Sequence, residues 1–281
     1  MTDTRFRGKR VIVTGAGSSS DGVGNGMAAA VLYARAGASL VLVDRDPDAL
    51  QTTAAAVREH GVSATCVTCD VASHAGVDEY IGRALSELGG VDVLHCNVGI
   101  AGDQPVETTS DDRWRLIFRV NVDSLMLACR AVLPLMREGG GGAIVNVSSI
   151  ASIRATGTPF PAYAASKAAA NALIREVAVE GAPYGVRANS VVVGYVDTPT
   201  VARAYAGQMG RWEELAESRS RALPRGKQGT AWDTARAGLY LASGDADFVT
   251  GTHVLVDGGM TAVAGGPIFS LLKDESAGAY T

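Results

Sequence analysis

The sequence predicts an α/β protein, a doubly wound parallel sheet of about seven strands with helices on both faces. Three observations carry that expectation. Short β-branched runs alternate with longer Ala-rich segments along nearly the whole 281-residue chain, the rhythm of strands joined by right-handed helical crossovers. The runs are almost continuously apolar, as strands are when both sheet faces are covered. The 34 glycines follow no Gly-X-Y period and exceed what a helical bundle uses, so they mark tight strand-to-helix turns.

In chain order, the first strand candidate is 10–14, where Val11, Ile12 and Val13 precede Thr14-Gly15. The second, 39–43, is an apolar run that closes on Asp44. The third, 64–69, carries Cys66 and Cys69 around Val67, and the fourth spans 91–97. The fifth, 143–147, leads into Ser148-Ser149; 187–192 and 253–256 complete the set. Helix candidates at 24–36, 46–60, 75–88, 111–137, 162–182 and 232–242 fill the intervals with apolar residues at helical spacing. Gly139 to Gly142 punctuate a helix end before a strand. No linker rich in Pro, Ser or charge divides the chain, so residues 1–281 are expected to form a single dinucleotide-binding and catalytic domain. Segment 198–229, which holds Tyr205, Met209 and Trp212, interrupts the rhythm, and excursions of that length usually cover an active site. A tail, 261–281, follows the last strand. Its Ile268, Phe269, Leu271 and Leu272 are expected to pack against a neighbouring subunit, the pocket or their own core.

Composition removes several classes of function. Hydrophobic residues make up 47% and charged residues 19%, which excludes charge-driven disorder. Lys plus Arg number 25 against 29 Asp plus Glu, a net charge of -4 with no basic stripe, so neither nucleic acid nor an anionic membrane is an expected partner. No apolar run approaches the roughly 18 to 20 residues of a membrane span, and residues 1–10 lack an apolar signal core. A cytoplasmic protein with a small soluble partner is expected. Cys66 and Cys69 stand at CxxC spacing, but their surroundings read as a buried strand rather than an activating helix start. No second Cys or His pair follows at zinc spacing, and His60, His74, His95 and His253 are scattered, so no metal site is expected.

Two motifs carry chemistry. Thr14-Gly15 runs through Ala16 to Asp21 into Gly22-Val23-Gly24, where a helix begins. Glycines there permit positive φ and let a pyrophosphate approach backbone N–H groups at a helix N-terminus. With Asp44 closing the second strand, the arrangement points to a dinucleotide, because that carboxylate can accept hydrogen bonds from both ribose hydroxyls and repel a 2′-phosphate. NAD is therefore expected over NADP; Arg45, a cation able to pair with a phosphate, is the opposing feature. A P-loop is excluded because no Gly-Lys-Ser or Gly-Lys-Thr occurs. In the second motif, Tyr163 and Lys167 are four apart on one helix face. An ammonium beside a phenol favours the phenolate, which is expected to lower the Tyr163 pKa towards neutrality for acid/base work.

With these residues assembled, the chain resembles the short-chain dehydrogenase/reductase family, of the single-domain, Rossmann-like kind of about 250 residues. The resemblance covers about residues 10–259. It rests on the glycine turn from Thr14, on Asp44, Asp70-Val71, Asn97-Val98-Gly99, Asn121, Ser149, Tyr163 and Lys167, on Gly194 with Thr198, and on Thr250-Gly251 and Val256 to Gly259. It implies a tetrad in which Tyr163 exchanges a proton with the substrate oxygen and Ser149 polarises that oxygen. Lys167 binds the nicotinamide ribose, and Asn121 positions a relay water. It further implies that Gly15, Gly22, Val23, Asn97 and Gly99 line the cofactor, that Asp70 and Val71 meet the adenine, and that Val196 and Thr198 hold the nicotinamide end. Ile100, Gln104, Thr156, Phe160, Tyr195, Tyr205, Met209 and Trp212 are candidate substrate residues.

The implied activity is an NAD-dependent interconversion of a secondary alcohol and a ketone, in a homotetramer built through the helices at 111–137 and 162–182. An NADPH-linked 3-oxoacyl carrier-protein reductase is the first alternative, and a non-catalytic nucleotide-sensing protein the second. The chain departs from the family pattern at several points. Six residues separate Gly15 from Gly22 where the family has about three. Cys96 stands where Asn is usual, which questions a hydrogen bond between neighbouring strands. Val193 replaces the usual Pro, and the gap from Ser149 to Tyr163 is one residue longer than common and holds Pro159 and Pro161, so a reshaped substrate loop is expected.

Overall fold

The computed structural model describes residues 3–19, 21–102, 104–204 and 212–263. In chain order the elements are β1 (Arg10–Thr14), α1 (Asn25–Arg35), β2 (Ser39–Asp44), α2 (Pro47–Arg58), β3 (Thr65–Thr68), α3 (His74–Leu88) and β4 (Val93–Cys96). Then come α4 (Asp111–Phe118), α5 (Ser124–Glu138), β5 (Gly142–Ser149), α6 (Pro161–Gly181), β6 (Val186–Val193), β7 (Val196–Asp197) and α7 (Pro199–Ala204). The last are α8 (Trp212–Arg221), β8 (Gly229–Thr230), α9 (Ala231–Ala242) and β9 (His253–Val256). The main sheet is parallel throughout and runs β3-β2-β1-β4-β5-β6-β9. The chain starts near the middle, winds out to β3 and then returns past β1 to β4. The crevice at the C-terminal ends of β1 and β4 is therefore the switch point where such sheets bind ligands.

The pleat sends alternate residues to opposite faces. Val11 and Val13 join one buried cluster with Ala28, Ala29 and Ala30 of α1 and Ala231, Ala235 and Leu239 of α9. Ile12 joins the other, with Tyr80 of α3, Val132 of α5 and Ile174 of α6. The alanines on α1 are small enough to let it lie close against α9. At the opposite end of β1 from the crevice, Arg10 grips Asp92 with two parallel bonds, 2.7 Å from Nε and 2.9 Å from Nη2. That planar, bidentate geometry tethers β1 to the segment entering β4. Those hydrogen bonds also hold the Asp92 carboxyl below its ordinary pKa, although burial acts in the opposite sense.

Three departures from the expected elements matter. The helix anticipated over 111–137 is two helices, α4 and α5, separated by a π turn at Arg119–Asp123. Insertions of this type shift the backbone ladder and often mark functional positions; here the turn carries Asn121. β5 extends to Ser149 rather than ending at 147, because its last three residues pair with Val191, Val192 and Val193 of β6. Finally, β7 and β8 form a separate two-stranded sheet, Val196 opposite Gly229 and Asp197 opposite Thr230. Two residues each carry too little pattern to be seen in sequence, yet the pair closes the base of the 198–229 excursion. The apolar residues at 268–272 lie outside the described residues.

Gly26 sits where α1 presses on the glycine turn, and a β-carbon there would collide with the Gly15 carbonyl. Gly26→Ala is predicted to overpack this contact and cost about 1 to 3 kcal/mol. Calorimetric melting checks this; an unchanged midpoint would mean that α1 can retreat from the turn freely.

Candidate active site

The glycine turn is shaped from three sides. Gly15 has φ of +66°, and a β-carbon on it would come within 3.0 Å of the Val98 backbone nitrogen. Asn97 Nδ2 donates to the Gly15 carbonyl at 3.0 Å, so the ends of β1 and β4 are fastened together. The longer loop that follows closes on Ser18. Its hydroxyl donates to the Gly22 carbonyl at 2.8 Å and accepts from Gly24 N at 2.9 Å. Ser18 thus does for this insertion what a cap does for a helix end. Gly22 in turn lies beside Pro199 at the start of α7, and Val23 packs partly against the core.

Asp44 is held by backbone donors. Its Oδ2 accepts from Gly17 N at 2.9 Å, and its Oδ1 accepts from Arg45 N at 2.8 Å and Asp46 N at 3.2 Å. A β-carbon on Gly17 would meet this carboxylate at 2.8 Å, which explains the glycine. Arg45 is exposed. Beyond β3, Asp70 Oδ1 accepts from Ala72 N, and Val71 is buried next to it.

The chemistry-bearing residues converge at the ends of β4, β5 and α6. Ser149 Oγ accepts from Ala151 N at 3.2 Å and hydrogen-bonds to Tyr163. Lys167 is buried with Nζ donating to the Val147 carbonyl at 2.9 Å, and lies 5.9 Å from the Tyr163 ring centre. Gly99 makes room for it: a β-carbon there would stand 2.9 Å from Nζ. The expected lowering of the Tyr163 pKa is corrected by this arrangement. Burial raises the phenol above its ordinary value and outweighs the Ser149 hydrogen bond that lowers it. The ammonium, on a more deeply buried residue, is itself pushed down to about 8 by burial.

The Asn121 side chain is fully engaged. Its Oδ1 accepts from Ile100 N at 2.8 Å, while Nδ2 donates to Ile100 O and to Ser166 Oγ, both at 2.9 Å. It braces the loop after β4 against α6. Cys96 is buried, its thiol raised to about 12 by burial despite a hydrogen bond with Thr14. Asn146, next in the sheet, bonds Ser190 instead. Cys69 donates to the Gly76 carbonyl and is pushed to about 11, and Cys66 is raised as well, both mainly by burial. Neither has the character of a reactive thiolate. Among the described residues no cluster of His, Cys, Asp or Glu could hold a metal.

On the substrate side, Phe160 packs edge-on to Tyr163 at 5.9 Å between ring centres. Tyr195 reaches the Thr156 carbonyl at 3.4 Å, which joins the loop after β5 to the loop after β6. Val196 and Thr198 are buried just beyond. Gln104 is exposed; Trp212 opens α8, and Tyr205 and Met209 lie outside the described residues. Sequence reasoning missed Arg219, which stacks 4.4 Å from the Tyr195 ring centre and bonds Gln228. It also missed Ser152 and Asn171; no motif marks either.

A nicotinamide dinucleotide fits what is present. α1 has no side-chain cap and no acidic residue in its first turn, so its N-terminal donors face the glycine turn unopposed. Ser19 Oγ and Asn25 Oδ1 are buried there without a partner among the described residues.

Comparison with known proteins adds to this geometry. The family model described as enoyl-(acyl carrier protein) reductase matches residues 17–261. The chain is 34% identical to 3beta-hydroxysteroid dehydrogenase 1 of Eggerthella lenta, over 92% of this chain and 96% of the relative. A crystal structure from Burkholderia xenovorans, described as a short-chain dehydrogenase/reductase, superposes with a TM-score of 0.90 at 41% identity, covering 93% of this chain and all of that one (100%). L-sorbose reductase from Gluconobacter frateurii, solved with NADPH and L-sorbose, superposes at 0.85 with 29% identity, covering 93% and 99%.

The buried ammonium has a measurable consequence. Its pKa in the fold, about 8, lies below the ordinary 10.5. Below pH 8 both folded and unfolded chains carry the charge, and the fold bears its full desolvation cost, at most about 3 kcal/mol. From pH 8 to 10.5 the unfolded chain holds a proton that the folded chain has released, so this group makes stability rise with pH. Lys167→Met is therefore predicted to melt at a higher temperature than the wild type at pH 7, with the gain fading across that window. A lower midpoint at pH 7 would show the ammonium to be a net stabiliser.

Proposed function

Because this chain belongs to the short-chain dehydrogenase/reductase family, we propose that it is an NAD-dependent oxidoreductase that interconverts a secondary alcohol and a ketone. The observation that carries the reading is the joint placement of Ser149, Tyr163 and Lys167 beside a glycine turn backed by the Asp44 carboxylate. Gly15, Gly22, Val23, Asn97, Gly99 and the N-terminus of α1 hold the dinucleotide, with Asp70 and Val71 at the adenine and Val196 and Thr198 at the nicotinamide. The bound cofactor supplies the hydride acceptor or donor.

The remaining chemistry is the chain's own. In the oxidative direction Tyr163 takes the proton of the substrate hydroxyl, and in the reductive direction it returns one to the carbonyl oxygen. Ala151 N–H occupies a lone pair of Ser149 Oγ, and with substrate in place the serine proton that faces Tyr163 turns to the substrate oxygen and stabilises charge that develops on it. Lys167 binds ribose hydroxyls and supplies the positive charge that opposes the burial effect on Tyr163. Asn121 fixes Ile100 at the rim of the pocket, with Phe160, Tyr195 and the 198–229 segment around the substrate.

NAD is the proposed cofactor on electrostatic grounds: a 2′-phosphate at the ribose would face the Asp44 carboxylate at short range. The NADPH-linked reductase is kept as a second reading because Arg45 is exposed beside it. A homo-oligomer, a tetramer in our reading, is supported by apolar side chains left open on several elements. Trp114, Met126, Val179, Leu255 and Phe248 are exposed, Phe248 completely. A cytoplasmic location agrees with four unpaired cysteines.

Two measurements test the reading. Tyr163→Phe is predicted to lose at least about 100-fold in turnover, the lower end of general acid/base contributions, while NAD still binds by calorimetric titration. Wild-type turnover would overturn the assignment. For the cofactor, kcat/KM with NAD is predicted to exceed that with NADP by at least about tenfold, some 1.4 kcal/mol, and Asp44→Ser to narrow the gap. A wild-type preference for NADP would transfer the conclusion to the reductase.

A further inference from the structure

We propose that Asn171 and Ser152 are positioning residues for Ser149, forming a clamp that sets the serine's place relative to Tyr163. The inference rests on the assignment of Ser149 and Tyr163 made above. Ser149 ends β5, whereas Tyr163 sits on α6, and the 153–160 loop between them has no regular structure. Something other than that loop must hold the two reacting groups in register.

Sheet pairing holds the end of β5, and the Lys167 bond to the Val147 carbonyl ties α6 to it; a short chain of hydrogen bonds adds a tie at Ser149 itself. Asn171 Nδ2 donates to Ser152 Oγ at 2.8 Å. The Ser152 hydroxyl, with a lone pair so occupied, directs its single proton to the Ser149 carbonyl at 2.6 Å. Asn171 is 4% exposed, so these bonds are largely shielded from competing water. On α6, Tyr163, Lys167 and Asn171 follow one another at intervals of four, a single stripe facing the end of β5. The helix that carries the acid/base group therefore also grips the residue that carries the polarising hydroxyl. The 3₁₀ turn Ile150–Ser152 makes the grip compact, since its Ala151 N–H bonds Ser149 Oγ while its Ser152 holds Ser149 O. Both polar ends of Ser149 are thus fixed from one turn, and that turn is fixed to α6.

Neither residue has a position from which it touches substrate in this scheme; both act through Ser149. The experiment measures steady-state kinetics of Ser152→Ala, Ser152→Thr and Asn171→Leu, each alone and combined with Ser149→Ala. Small misplacements of reacting groups cost up to about 100-fold, and about tenfold in kcat is expected for Ser152→Ala and for Asn171→Leu. The cofactor Michaelis constant should not change, and Ser152→Thr, which keeps the hydroxyl, should recover most of the rate. In the Ser149→Ala background both losses should vanish, because a clamp has nothing left to position. Losses that persist undiminished in that background, or full rates for both single variants, would overturn the clamp while leaving the catalytic assignment intact. Full turnover of Ser149→Ala itself would overturn both. Should Asn171→Leu fail to fold, the Ser152 pair decides the matter alone.

Discussion

A buried ammonium with no ion-pair partner among the described residues is the constraint around which the C-terminal side of the sheet is organised. Lys167 has the Val147 carbonyl as its hydrogen-bond acceptor, and burial drives its pKa down to about 8. A salt bridge would make the charge cheaper but would also neutralise it. The surrounding residues leave it un-neutralised. Gly99 yields the space of a side chain, Cys96 is kept neutral by burial, and Asn121 turns its amide to Ile100 and Ser166 rather than to the lysine. Burial of that ammonium costs stability at one residue, the kind of trade expected where an activity needs a strained environment.

A second constraint works through backbone rather than charge. At the crossing of β1, α1 and β4, the chain comes close enough to itself that Gly15, Gly17 and Gly26 each exclude a β-carbon, by different neighbours. Gly17 excludes one because the Asp44 carboxylate occupies the site. The turn and the carboxylate proposed to meet the ribose are therefore one structure: Asp44 is braced by Gly17 of the glycine turn, so a change in one is felt in the other. The three-residue insertion leaves this core unaltered because Ser18 re-closes the loop below it.

Legibility in the sequence followed the physics of each signal. The parallel sheet was readable because runs such as Val11 to Val13 and Leu40 to Val43 are buried on both faces and must be apolar throughout. Ser149, Tyr163 and Lys167 were readable because helical periodicity and strand ends fix their directions. The break between α4 and α5 was not, since a π turn arises from the packing of Asn121 against Ile100 and Ser166, residues distant in sequence. For the same reason the Tyr163 pKa was misjudged: helical spacing reveals the ammonium four residues away but not the burial that opposes it. β7 and β8 are too short for any periodicity. Asn171 carried no signal because an asparagine on a helix is ordinarily a surface residue.

The proposed reading puts chemistry and substrate choice in different parts of the chain. The residues proposed to react are anchored in β5 and α6, with Lys167 held by a buried hydrogen bond to the Val147 carbonyl. The groups that would recognise a particular alcohol lie on the loop after β5 and on the 198–229 segment, which is joined to the body at its base by two residue pairs between β7 and β8. Contacts that tie this segment to the body include Arg219 stacked on Tyr195 and donating to the Val196 carbonyl, Pro199 beside Gly22, and the buried Leu223. None of them is made by Ser149, Tyr163 or Lys167, which is why the family's reaction type is legible from the chain and the identity of the alcohol is not.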